Sequence, residues 1–225
     1  MKKIITIFFI LIQLISYYLI LFVGGNVGVY ASFVTIVLCF IYAFTNVKIE
    51  NRYLLCGLVM TIGADFFLVL YEPRQQLYGM IFFVFTQIFY AIKLNKETKN
   101  KIFIFIRVIL SVLINVIAFI VLKDSIDLLV IVSLIYYVNI ILNFIEALTI
   151  FRKDRLFTIG LLLFILCDTV IGLQVMSDTY IKISESSILY KILFVDFNLA
   201  WAFYLPSQVL IALSSNKKEG VFDEI

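Results

Sequence analysis

From Ile102 to Leu122 the chain reads IFIFIRVILSVLINVIAFIVL, with one charged residue in the whole stretch. About 20 residues of this kind cross the ~30 Å hydrocarbon layer of a membrane as a helix, at 1.5 Å per residue. Seven further stretches qualify, so spans are expected at 4–23, 28–46, 53–71, 77–94, 102–122, 127–151, 157–176 and 190–213. Composition agrees: 64% of residues are hydrophobic and 15% charged, with mean hydropathy +1.11. A soluble domain is about half apolar, and this excess is too large to hide in one core. The expected fold is all-α, a polytopic membrane bundle of eight transmembrane helices. The linkers are short and hold most of the charge, so residues 1–225 form one integral membrane domain.

Lysine and arginine placement orients the bundle, because short loops rich in these residues stay in the cytoplasm. One side carries Lys2, Lys3, Lys48, Arg52, Lys93, Lys96, Lys99, Lys101, Arg152, Lys153, Arg155, Lys217 and Lys218; the other carries only Arg74, Lys123, Lys182 and Lys191. Both termini are therefore expected in the cytoplasm, in agreement with an even number of spans in the cell membrane. The start of the chain imitates a signal peptide, with MKK, an apolar run and VYA before Ser32. That run exceeds a usual signal core and no exported domain follows, so it reads as the first span.

The chain has no histidine, which excludes a Ser-His-Asp triad, a Cys-His dyad and a histidine-ligated zinc site. Cys39, Cys56 and Cys167 fall inside apolar segments without motif spacing and read as small core residues. No metal or cofactor is expected, and no nucleic acid partner.

Charged side chains are costly at mid-membrane and generally face a bundle interior or a wet cavity. Asp65, in TIGADFFLVLY, stands about 9 Å from the outer end of its span. Asp168, in LLLFILCDTVIGL, is about 12 Å from the outer end of span 7, and Asp196 about 9 Å into span 8. Three acids at similar depth without a basic partner resemble a site. An acid kept neutral beside an ionised one is an arrangement suited to acid/base work. Each could equally fix helix packing by accepting hydrogen bonds from hydroxyls and amides.

A second layer lies deeper. Arg107 and Glu146 sit at one depth on adjacent antiparallel spans and are expected to pair. Asn139, Asn143 and Glu146 recur on one face of span 6. In span 8, NLAWAFYLPSQVLIALSS, Pro206 removes a backbone hydrogen bond and should kink the helix near 202–204. Trp201, Tyr204 and Gln208 share a face there, and Gln87 and Tyr90 form a polar pair in span 4. Either helix could wall a pocket for a lipid head group or simply pack. Spans 3 and 7 each place an aspartate near the thirteenth residue, which fits two parallel four-helix halves.

In span order, Gly63-Ala64-Asp65, Gly79 with Gln87 and Tyr90, Phe164 through Cys167-Asp168, and Tyr204 with Gln208 and Leu210 resemble the YhhN family, which includes the lysoplasmalogenases. Nearly the whole chain takes part. This chain departs from the family pattern in three places: Ala64 separates Gly63 from Asp65, Gln87 stands where the family often has histidine, and Cys167 replaces serine. The resemblance implies hydrolysis of the vinyl ether bond of a lysoplasmalogen, with a membrane lipid or lysolipid as partner. It implies Asp65 and Asp168 as the acid/base pair, with Gln87, Tyr90, Asp196, Tyr204 and Gln208 binding substrate.

Two other classes share these features. A small transporter or channel also uses intramembrane acids and a proline-broken helix, although such interruptions are expected in both halves and Pro73 lies in a loop. A catalytically silent lipid-binding protein fits the missing histidine.

Overall fold

The apolar stretches fold as helices, and every regular element among the described residues is helical. The computed structural model describes residues 2–47, 51–123, 126–179 and 183–216; Lys48, Lys182, Lys217 and Lys218 of the charge pattern lie outside them. In chain order the helices are α1 (Lys2–Tyr18), α2 (Gly25–Asn46), α3 (Arg52–Asp65), α4 (Gln76–Thr98), α5 (Ile102–Leu122), α6 (Leu128–Thr149), α7 (Arg155–Thr179), α8 (Ile188–Leu193) and α9 (Leu199–Leu213). α1 and α3 each continue into a π-helical turn, Leu19–Val23 and Phe66–Leu70. Among the described residues, seven helices are long and apolar enough to cross a membrane. The chain is a multi-pass membrane protein.

The expected span 190–213 is not continuous. Residues 194–198 are not helical, and α9 restarts at Leu199 with 15 residues. Its first turn is capped by the Asn198 side chain, which accepts from Trp201 N at 3.2 Å. A side chain that satisfies a backbone N–H in this way marks a helix start. Asp196, expected about 9 Å inside this span, therefore lies exposed in the connector.

Pro206 stays inside α9. Its missing N–H frees the carbonyl of Ala202, and the Tyr17 hydroxyl on α1 donates to that oxygen at 3.2 Å. A neighbouring helix thus satisfies the proline gap, as hydrocarbon surroundings require.

Ring contacts fix the helix directions. α4 meets α7 through Phe83–Phe164 and Tyr90–Phe157, so the two are antiparallel. α9 meets α7 through Tyr204–Phe164 and through Ile211 against Gly160, so α9 is antiparallel to α7 and parallel to α4. Glycines bring α3 and α4 close: a Cβ on Gly57 would stand 2.2 Å from Cε1 of Tyr90, and one on Gly79 2.4 Å from Cγ of Leu68. Small residues permit such approach in membrane bundles. α5 is peripheral, with Arg107 its one buried residue.

Ion pairs close the end of the bundle where α4 finishes. Lys93, buried above the Phe157 ring at 4.0 Å, bonds Asp154 at 2.7 Å and Glu97 at 3.0 Å. Arg107 reaches Glu146 at 2.7 Å, as the sequence predicts, and Thr98 donates to the same carboxylate at 2.8 Å. These contacts tie α5 to α6 and α4 to α7. Breaking such a buried pair strands a charge, which costs about 3–5 kcal/mol, whereas replacing both partners by apolar groups is much milder. Arg107→Met and Glu146→Leu should therefore each destabilise the protein more than the double substitution does, measured by denaturation in detergent.

Candidate functional site

The two intramembrane aspartates that stay buried are each held by a tyrosine from another helix. Asp65 ends α3, where the helix widens into the π-helical turn, a feature common at functional positions. Its Oδ2 accepts from the Tyr204 hydroxyl of α9 at 2.7 Å, and the side chain is only 2% exposed. Asp168 on α7 accepts from the Tyr136 hydroxyl of α6 through Oδ2. It is half-buried, so one edge stays open where Asp65 is enclosed.

The two pairs belong to one cluster. Tyr204 and Tyr136 both pack against Phe83, at ring separations of 6.4 and 5.6 Å, and both against Phe164, at 5.4 and 6.4 Å. Trp201 meets Tyr204 edge-on at 4.9 Å. The carboxylates lie within electrostatic range of each other, and Cys167 lies within range of both. Among the described residues neither carboxylate pairs with a lysine or arginine. Four helices supply the polar atoms and α4 supplies the Phe83 wall between them.

The remaining expected residues lie one turn deeper. Gln87 on α4 is fully buried, and its Oε1 accepts from Asn143 Nδ2 of α6 at 2.8 Å. Tyr90 is seated against Gly57 and Phe157. Gln208, one turn beyond Tyr204 on α9, is fully buried. Asp196 does not join them; it is exposed between α8 and α9. The cysteines are free thiols. Among the described residues no three histidine, cysteine, aspartate or glutamate side chains gather where they could hold a metal ion.

Tyr136 and Phe83 are not expected from the sequence as part of this group. A signal for Tyr136 is nonetheless present: it stands three residues before Asn139 and extends the polar face of span 6 by one turn. Phe83 carries no such signal, because one phenylalanine among 23 is set apart only by what it touches. A crevice of about 580 Å³ lies elsewhere, along α5, and neither carboxylate lines it. Its one buried cation, Arg107, is already committed to Glu146.

Removing a hydroxyl that bonds a buried polar group costs about 1–3 kcal/mol. Tyr204→Phe should reach the upper part of that range, because enclosed Asp65 cannot turn to solvent. Tyr136→Phe should cost less, since half-buried Asp168 can recruit a replacement. Thermal unfolding of both variants in one detergent checks this order, and equal losses would contradict it.

No curated protein and no solved structure matches the chain. The YhhN family model matches residues 27–215, which take in both carboxylates, both tyrosines and the amides beneath them. The chain belongs to the YhhN family.

Proposed function

We infer that the protein is a membrane-embedded hydrolase of the lysoplasmalogenase type, acting on the vinyl ether bond of a lysolipid. The observation that carries this reading is the pair of buried carboxylates, each positioned by a tyrosine and joined through one aromatic cluster. Vinyl ether hydrolysis needs no nucleophilic serine or histidine. It needs one acid to protonate the vinyl carbon and one base to help water attack.

In the proposed sequence, one of Asp65 and Asp168 delivers its proton to the β-carbon of the vinyl ether. The C=C electron pair forms the new C–H bond, leaving an oxocarbenium ion at the α-carbon. The second carboxylate stabilises that cation, helped by the π-faces of Phe83, Phe164 and Tyr204. Water adds to the α-carbon while a carboxylate takes its proton. The hemiacetal then collapses to a fatty aldehyde and the glycerophospho-alcohol. Tyr136 and Tyr204 fix the carboxylates, and Gln87, Tyr90 and Gln208 shape the floor of the pocket. α9 serves as the eighth span, with both termini on the cytoplasmic face of the cell membrane.

The transporter reading draws less support. A proline-broken helix serves ion coupling through its freed carbonyl, and here the Ala202 carbonyl is occupied by Tyr17.

Purified protein incubated with a lysoplasmenyl lipid should release fatty aldehyde, detected by mass spectrometry. Asp65→Asn and Asp168→Asn should each lower turnover by at least about 10²–10⁴-fold, the usual worth of a general acid or base, without loss of folding. Turnover at the wild-type rate in either variant would remove the assignment. Because one group must carry a proton and another must not, activity should fall on both sides of an optimum pH. A profile flat from acid to alkaline pH would contradict the paired roles.

A further inference from the structure

One turn beneath the carboxylates is a layer of buried polar side chains with bonding capacity that the protein does not fill. Gln87 Nε2, the Tyr90 hydroxyl, Asn143 Oδ1, Ser207 Oγ and both amide atoms of Gln208 are buried and have no hydrogen-bond partner in the protein. Buried polar groups are nearly always satisfied, by protein or by ordered water.

Exchanging amide oxygens and nitrogens does not remove the problem. Asn143 Nδ2 donates both to the Gln87 main-chain carbonyl at 2.9 Å and to Gln87 Oε1 at 2.8 Å. The carbonyl can only accept, so Asn143 must present its nitrogen there. Gln87 must then present its oxygen to that nitrogen, and its Nε2 is left facing away from Asn143. Gln208 lacks a protein partner at either atom, so its orientation is immaterial.

Helix register gathers these atoms. α4 and α9 run in parallel and touch through Phe83 and Tyr204. Gln87 and Gln208 each lie four residues further on, on the same faces. Asn143 joins from α6 through Gln87. Tyr90 lies one turn below Gln87 on α4, its ring against Gly57 of α3. Ser207 adjoins Gln208, on the side where α9 meets Gly160 of α7.

The unfilled atoms are of both kinds. Gln87 Nε2 and Gln208 Nε2 can only donate, Asn143 Oδ1 and Gln208 Oε1 can only accept, and the two hydroxyls do either. A cation would satisfy only the acceptors and an anion only the donors. A small neutral ligand that both donates and accepts satisfies all of them, and full enclosure favours the smallest such molecule.

We propose that Gln87, Tyr90, Asn143, Ser207 and Gln208 form a binding site for a cluster of water molecules directly beneath the carboxylate pair. On the hydrolase reading, this cluster is the store from which the consumed water is drawn. That role rests on the reading, whereas the site does not.

The full chain in lipid bilayers, with its glutamine side-chain amides labelled, can be examined by solid-state NMR that follows magnetisation from water into protein. The chain supplies its own controls. Gln76 is exposed, while Gln13 is buried and bonded within the protein, to Thr35 and Cys39. Transfer to the Gln87 and Gln208 amides should be several-fold faster than to Gln13 and approach that of Gln76. Gln208→Leu, if it folds, should slow transfer at Gln87. Wild-type transfer at both amides as slow as at Gln13 would overturn the proposal. Fast transfer in a protein that releases no aldehyde would leave the water site standing and remove the hydrolase reading.

Discussion

A polar group placed in hydrocarbon has no solvent to bond, so the chain or something bound to it must supply every partner. The interior is arranged around that constraint. Where α4 ends, charge answers charge: Lys93 takes Asp154 and Glu97, and Arg107 takes Glu146. At the far level the carboxylates receive tyrosine hydroxyls instead of cations. Between them Gln87 and Asn143 bond each other only in part, and the Gln208 amide has no protein partner at all. The three levels differ in how strongly each group is already committed. A carboxylate locked to a guanidinium has little freedom to exchange a proton, whereas one held by a neutral phenol keeps it.

The scaffold level also explains why the site can be built from so many helices. Asp65, Tyr136, Asp168 and Tyr204 come from α3, α6, α7 and α9, and no two share an element. Their mutual placement depends on close packing at glycines. Gly57 admits the Tyr90 ring, and Gly160 lets Ile211 and the Ser207 carbonyl approach α7. α9 is the keystone: it carries Tyr204 to Asp65 and continues through Pro206 because Tyr17 occupies the carbonyl that proline frees. On the hydrolase reading, the aromatic rings around Tyr204 exclude bulk water from the reacting carbon, while the amide level keeps a limited supply close by.

How much was legible depended on whether the signal was local. Arg107 and Glu146 could be paired because adjacent antiparallel spans and equal depth leave few alternatives. Asp65 and Asp168 stood out because a carboxylate in an apolar run needs a reason to be there. The same reasoning failed for Asp196. A helix starting at 190 would place Asp196 well inside the span, but the start of α9 is set by the Asn198 side chain accepting from Trp201 N. Tyr136 was partly legible as an extension of the polar face through Asn139 and Asn143. Phe83 was not, since its role is purely one of contact.

The sequence by itself determined that this chain is a multi-pass helical membrane protein, that Asp65, Asp168, Arg107 and Glu146 lie within its apolar segments, and that histidine chemistry is unavailable. Hydrophobic length and charge spacing are properties of single segments and need no folding to be read. Tertiary structure alone decided that two of the three candidate acids share one aromatic cluster, which tyrosine serves which acid, and that the amides below them are left with bonding capacity to spare. Those facts depend on helix rotation and register, set by glycine contacts and ring packing between segments far apart in the chain. No single segment carries that information.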